Sequence, residues 1–517
     1  MPTTLRASSL FLCAVSLGMA ARPLAAQRGD AQVRPSVLAA GVDSMAARLV
    51  AEFEVPGMAV GIIRTDTIVL AKGYGVTQLG TTTPVTPRTI FGIGSITKSM
   101  TGFLVGRAVV DGDLAWDTPV RAYWPGFTLP TTEATERATV FDFLSHQSGI
   151  PRLDGLWQYA GLTDDSLLTR LPWLPAVGEF RGAMQYSNIN YAIVGGLLAR
   201  TRQLPWAALL ARDLFDPLGM TSSWATPSAV VGIAGVAGRH TLIADTLVLL
   251  PGQPTEIEAV AASGSVFSNL EDMLRYLQML LGEGQFDDRT ILEHDAFARM
   301  LTPAPGGVSY PDSPRRMSLG YGAGWFLEQY DGEFLASHSG VIEGYSSQIA
   351  FMPKRGIGVV VLSNRFGNPA PDIMVHYVLD RLTGREVAGY FAAYQGLVAQ
   401  QRAAARAEAA ATPYDDASPG MPADYLGQYS HPAYGMVTIG SDGADGLVAA
   451  YGGRRYALAH HRAGVFVPSS ADPAVGAVGV MQFLFGPDHP PTALTWEFDD
   501  AGPIRFERRA SVSPRDG

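Results

Sequence analysis

The stretch FGIGSITKSM (91–100) places the Ser95 alcohol and the Lys98 amine three residues apart, then runs on into Phe103, Leu104, Ala108 and Val109. On a helix, residues three apart share a face and lie about 4.5 Å apart along the axis. The two polar groups therefore meet over one cavity while Ile96, Met100 and Phe103 turn toward a core. A serine alcohol is a poor nucleophile until a base takes its proton. A lysine amine can be that base only when neutral, which requires desolvation or nearby positive charge. The polarised N–H groups of a helix start favour negative charge developing beside them. Taken alone, Ser-x-x-Lys more often marks an ordinary helix start, so the surrounding sequence decides.

Upstream, a helix is expected around Gly41–Phe53, followed by β-rich Ala59–Ile63 and Thr67–Lys72 flanking a tight polar turn. Downstream, the helix ends near Asp111-Gly112-Asp113, and residues 139–282 read mostly as helical pieces and loops. Asn188–Arg200 supports a helix with Tyr191, Val194 and Leu197 on one side, and Asn269 precedes another that carries acids in its first turn. Strand character returns at Gly322–Gln329, Phe334–Ser339, Ser346–Met352 and Gly356–Ser363, and a helix over Asp372–Leu382 follows. Two distant strand groups can join into one mostly antiparallel sheet, which brings residue 340 beside residue 95. The alanine-rich 397–424 segment reads as a linker, and short glycine-punctuated β runs beyond Tyr425 make a small barrel or sandwich.

With 517 residues, two or three domains are expected, and 47% hydrophobic against 17% charged residues describe a globular chain. A net charge of −10 with no Lys/Arg-rich run disfavours a nucleic-acid partner. Residues 1–26, with Arg6 before the apolar run Leu10–Leu17, read as an export signal. Its removal takes away Arg6 and Arg22, moving −10 to −12, and also the one cysteine, Cys13. The mature chain then has no disulfide, no thiol nucleophile and no thiolate-held metal. No later run reads as a membrane span. Nine scattered histidines without His-Glu-x-x-His give no metal site, and no phosphate-cradling loop occurs, so no cofactor is expected.

Several motifs in order carry a family likeness. Ser95-Ile96-Thr97-Lys98, then Tyr186-Ser187-Asn188, then His338-Ser339-Gly340, with LSHQSGIPRLDG and LFDPLGMTSS between the first and third, resemble the penicillin-recognising serine hydrolase superfamily over residues 41–385. The likeness is to its class C β-lactamase-like branch of esterases, D-aminopeptidases and peptidases. It implies an α/β (α+β) serine β-lactamase/transpeptidase-like fold, with a mostly antiparallel sheet, a helical subdomain and a C-terminal lipocalin-like β-barrel. The expected boundaries are a signal at 1–26, a catalytic domain at 27–396, a linker at 397–424, a barrel at 425–510 and a tail at 511–517.

By motif, the resemblance implies Ser95 as the acylated nucleophile, Lys98 as its proton-transfer partner and Tyr186 as general base. Tyr186 would act as phenolate or as a relay and later help activate the deacylating water; this needs a phenol well below its usual range, which Lys98 and His338 could provide by favouring the anion. The backbone N–H groups of Ser95 and Val341 would form the oxyanion hole. Asn188, His338, Ser339 and Gly340 would bind substrate, Gly340 by leaving room for it along the strand edge. Tyr345, Trp325 and His146 are candidate cleft residues, His146 more as architecture than chemistry, and His240 and Arg365 are weaker candidates. Histidine replaces the lysine that many relatives carry in the third motif, which disfavours a strict carboxypeptidase or efficient β-lactamase. The expected substrates are peptides or D-amino-acid amides. Alternatives are a carboxylesterase with the same residues, a weak β-lactamase or DD-carboxypeptidase, or a non-catalytic peptidoglycan or β-lactam binding module. A periplasmic or secreted location is expected, as is a homo-oligomer through the C-terminal domain or a gating role for that domain.

Overall fold

A computed structural model describes residues 34–509, apart from 176–177, 244, 305–314, 412–421, 444–445, 463, 473–474, 476–477, 486–489 and 500–501. The expected signal at 1–26 and the tail at 511–517 lie outside the described residues.

One seven-stranded antiparallel sheet organises the larger, N-terminal part of the chain. Its strands are β1 (Gly57–Arg64), β2 (Thr67–Gly75), β3 (Arg316–Tyr321), β4 (Phe326–Tyr330), β5 (Glu333–Ile342), β6 (Tyr345–Met352) and β7 (Ile357–Ser363). They lie in the order β2-β1-β7-β6-β5-β4-β3, so the N-terminal hairpin pairs with the late strands through β1 and β7. Both faces of the central strands are covered, which explains their nearly unbroken apolar runs. Met58, Val60 and Ile62 pack with Val359 and Val361 against Leu38, Val42 and Leu49 of α1 (Pro35–Glu52). The alternate residues Ala59, Ile63, Val360 and Leu362 face the opposite core, which holds Met100 and Phe103 of α2 (Thr97–Val110).

The strand expected at Gly322–Gln329 begins only at Phe326. Residues 322–325 leave the sheet to lie against α2: a Cβ on Gly324, whose φ is +86°, would stand 2.5 Å from the Lys98 carbonyl carbon, and one on Gly102 would stand 2.3 Å from the Ala323 oxygen. Within the region expected to be helices and loops, Arg239–Ile243 and Thr246–Leu250 form a hairpin. The helix Tyr390–Ala411 crosses the expected domain boundary at 396/397 and occupies the first part of the expected linker.

The C-terminal module is a closed barrel of eight antiparallel strands between Gly427 and Arg508, each paired with its sequence neighbour and closed by the first strand on the last. Alternation explains its filling. Tyr429, Tyr456, Trp496 and Phe506 point inward and are fully buried. The Tyr429 hydroxyl donates to the Tyr425 carbonyl at 3.0 Å and the Trp496 indole to the Val478 carbonyl at 2.8 Å.

Candidate active site

Gly94 sets the geometry. Its φ is +52°, and a Cβ there would lie 2.6 Å from the Val341 nitrogen, so β5 runs directly beside the turn that carries Ser95. A 3₁₀ turn over Gly94–Ile96 then feeds α2. The turn is tied down on its far side: Thr97 Oγ1 donates to Gly94 O at 2.7 Å, and the Ile93 N–H donates to Val266 O at 2.9 Å. Gly340 meets the same turn. A Cβ on it would stand 1.9 Å from Ile93 O and 2.3 Å from Ser347 Oγ, so the glycine permits two chain segments to close on one another. This closure is a second reason for glycine here, beside the expected clearance for a substrate.

The pairing of β5 explains why an edge is open here. It pairs with β4 only as far as Ser337 but with β6 out to Ile342. From His338 onward, one edge of β5 has no strand beside it among the described residues. Val341 on this segment is 48% exposed.

Lys98 is wholly buried, and its Nζ lies 3.1 Å from Ser95 Oγ, 2.7 Å from Asn188 Oδ1 and 2.8 Å from Ser263 O. Burial holds its pKa well below the ordinary lysine value; Asp154 works against this shift and Arg152 with it. As an ammonium Lys98 would donate to all three oxygens; as the neutral amine that burial favours, it has only two N–H groups to give. Asn188 Oδ1 and the Ser263 carbonyl can only accept, so they take its two N–H groups and leave the lone pair facing the serine hydroxyl.

Tyr186 hydrogen-bonds to Ser95, and its ring sits 4.4 Å from that of His146 and 6.3 Å, stacked, from that of Phe326. Burial pushes the phenol up from its ordinary value, against the lowering effects of the Ser95 hydrogen bond and the Arg152 charge. Burial thus works against the depressed phenol that a phenolate base needs, and it favours the neutral form of Lys98. His338 does not supply the missing positive charge either. Burial and the neighbouring Lys98 bring its pKa down to about 3. Its ring is held by a 2.6 Å contact from Nδ1 to Ser339 O and a 2.8 Å contact between Nε2 and the Tyr321 hydroxyl. A neutral imidazole with both nitrogens engaged makes a poor contact for a substrate carboxylate, in keeping with the expectation that histidine in the third motif disfavours a strict carboxypeptidase. His146 takes N–H groups from Ser187 and Asn190 on Nδ1, at 3.2 and 3.3 Å, as an architectural residue does.

A cleft of about 320 Å³ opens from Ser95, with Asn188, Val341 and Ile342 along it and Arg454 and Val475 of the barrel at its far wall. Trp325 and Tyr345 are not on it. Trp325 is fully buried against Phe351 with ring centroids 5.1 Å apart, and the Tyr345 hydroxyl donates to Ala237 O at 2.6 Å inside the core. His240 is spent on loop closure: Nδ1 donates to Asn364 O at 2.7 Å and Nε2 accepts the Leu79 N–H at 3.0 Å. Arg365 is buried and donates to Phe53 O. The sequence reading missed Arg152 and Asp154. Their signal was two opposite charges two residues apart in an otherwise apolar stretch, IPRLDGLW.

The β-lactamase family matches residues 42–384. The chain belongs to that family. It is a serine hydrolase of the penicillin-recognising, class C β-lactamase-like superfamily. Among its relatives, an unguisins hydrolase of Aspergillus campestris is 28% identical over 485 residues, which span 86% of this chain and 87% of that protein. Penicillin-binding protein 4 of Amycolatopsis lactamdurans is 29% identical over 60% of this chain and 82% of its own length. The octameric penicillin-binding protein homologue from Pyrococcus abyssi shares the fold at a TM-score of 0.61, with 23% identity over 90% of this chain and 99% of that one.

In this hydrolase the barrel and the catalytic domain meet at the cleft. The Gly452 carbonyl lies against Gly161, just past α3 (Asp154–Tyr159). Arg454 donates to Gln158 O at 2.6 Å and forms an ion pair with Glu256. Among the described residues, no helix is long and apolar enough to cross a membrane, and no three metal-ligating side chains converge.

Proposed function

We propose that the enzyme cleaves peptide or D-amino-acid amide bonds through an acyl-enzyme at Ser95. The observation that carries this reading is the 3.1 Å approach of Lys98 Nζ to Ser95 Oγ, with the other two Nζ contacts made to acceptors. Lys98 takes the Ser95 proton as Oγ bonds to the substrate carbonyl carbon. The resulting oxyanion lies against the N–H groups of Ser95 and Val341. On collapse the C–N bond breaks, and Tyr186 delivers its proton to the departing nitrogen while Lys98 returns the captured proton to Tyr186. A water molecule then attacks the ester, its proton following the reverse path, and Ser95 is freed. A protonated phenol favours amides over esters as substrates, because an amine cannot leave without a proton whereas many alkoxides can.

The open edge of β5 beyond Ser337 supports peptide-like substrates, which can pair with it along their backbone. The name of the relatives that span most of the chain, unguisins hydrolases, supports hydrolytic chemistry here too. Arg454 and Val475 at the cleft wall favour the barrel as a limit on substrate length. Export to the periplasm or medium belongs to the same reading and rests on residues 1–26.

The test is intact-mass and steady-state measurement with D-amino-acid amides, peptides, penicillins and short esters, alongside Ser95→Ala. An adduct on Ser95 with amide turnover is expected. Turnover of esters alone would transfer the reading to a carboxylesterase, and no adduct with any of the four would overturn it.

A further inference from the structure

Asn188 faces an orientation problem that its own chemistry does not solve. The amide ends are alike in shape, and a half-turn about its last torsion exchanges oxygen for NH₂. Only one orientation suits a neutral Lys98. With Oδ1 toward the amine, Asn188 accepts an N–H; with NH₂ toward it, Asn188 would compete with Ser95 for the single lone pair.

Asp154 resolves the choice. Its Oδ1 lies 2.9 Å from Asn188 Nδ2, and a carboxylate can only accept, so the NH₂ is held on that side. The same Oδ1 takes the Trp157 indole N–H at 2.9 Å, and Oδ2 takes the Arg152 Nε–H at 2.5 Å. The carboxylate is thus fixed by two donors besides the one it orients, with its side chain only 16% exposed. Leu153 before it holds a left-handed backbone, with φ +42°, which turns the chain so that α3 begins at the cleft.

We infer that Asp154 is a positioning residue for the acylation step: it fixes the Asn188 amide so that its oxygen, and not its nitrogen, meets Lys98, and with Arg152 it balances the charge that Lys98 feels. The inference rests on the acyl-transfer reading above. The titratable and charged groups around Lys98 are Asp154, Arg152, Tyr186, Tyr191, His146 and His338, and the first two bear the formal charges that act on the amine. They pull in opposite directions. Asp154 favours the ammonium form and Arg152 disfavours it.

The experiment measures the second-order rate at which a fluorophosphonate modifies Ser95, as a function of pH, in the full chain and in Asp154→Asn and Arg152→Gln. Asp154→Asn is expected to slow modification on the order of 10²-fold, because an amide at 154 no longer forbids the flipped Asn188. Its acid limb, which reports the loss of a proton from Lys98, is expected to fall. In Arg152→Gln the limb is expected to rise, each shift being about half a pH unit or more. Opposite displacements are not produced by general loosening of the site. A wild-type rate and limb in Asp154→Asn, or limbs that move together, would overturn the inference. If Asp154→Asn does not fold, Arg152→Gln decides: a limb that stays or falls overturns it. A wild type left unmodified at Ser95 would instead sink the acyl-transfer reading itself.

Discussion

Replacing Gly340 by alanine separates two accounts of the same glycine. The added Cβ would stand 1.9 Å from Ile93 O and 2.3 Å from Ser347 Oγ, whereas carbon–oxygen contacts settle at about 3.3 Å. One segment must therefore retreat by about 1.4 Å. Neither is loose: Ile93 O accepts the Ser347 hydroxyl at 2.8 Å, and the Ile93 N–H is bonded to Val266. Overpacking of this kind costs about 1–3 kcal/mol, and the displaced hydrogen bond adds about 1 kcal/mol. At roughly 2–4 °C per kcal/mol, melting is expected to fall by roughly 4–16 °C. The same retreat parts Val341 from Ser95, and misplacement of about 1 Å costs on the order of 10²-fold in rate. Differential scanning fluorimetry and kcat/KM for a short acyl ester measure both, and both are expected to drop. If melting and short-ester turnover stay at wild-type levels while only bulky peptides are lost, Gly340 clears the substrate path and the argument from chain closure is wrong.

Lys98→Met tests the lowered amine. Between its depressed folded value and about 10.5 the unfolded chain binds more protons than the folded one, so wild-type stability rises with pH by up to about 1.4 kcal/mol per unit. The wild type is therefore expected to lose stability relative to Lys98→Met as pH falls from 10 to 8; parallel urea-unfolding curves would reject a depressed Lys98. Because His338 is neutral above about pH 3, the ratio of KM values for a peptide and its C-terminal amide should stay flat from pH 5 to 8. A several-fold change in that ratio near 6.5 would restore the charge-binding role. The Arg454–Glu256 pair is partly exposed, at 23% and 35% of the two side chains, and contributes about 0–1 kcal/mol. Arg454→Ala should leave melting nearly unmoved and raise the ratio of long- to short-peptide turnover, and an unchanged ratio would remove the barrel as a limit on length.

How much of this was legible in the sequence follows from what each feature depends on. The central strands were readable because their runs are apolar on both faces, and the Ser95–Lys98 meeting because three-residue spacing has one outcome on a helical turn. Sheet order was inferable only because two β-rich groups flank a long helical insert. The start of β4 was misplaced, since Gly322 and Gly324 look like strand punctuation but serve close approach to α2. Trp325 and Tyr345 carry no local mark of which layer they enter. The protonation of Tyr186 and His338 was beyond reach for a deeper reason. Residue type suggests what can titrate, but enclosure decides which form survives, and the enclosing rings come from residues 146, 191, 321 and 326. The contribution of Arg454 was invisible because it depends on how a barrel turn docks on α3.

In the proposed mechanism, a protonated Tyr186 makes the proton path more economical than a phenolate base would. Desolvation acts on both groups at once and drives each toward its uncharged form: the amine down, the phenol up. In the acyl-transfer mechanism proposed above, one enclosure would thereby favour an acceptor for the serine proton and a donor for the leaving nitrogen, without either needing the other's charge. A phenolate would have required a stable ammonium beside it, and that ammonium would have had no lone pair for Ser95. The buried Lys98 amine and the partly exposed Tyr186 phenol are therefore shifted in complementary directions. Any change that admits water to Lys98 should weaken both halves of the reaction together.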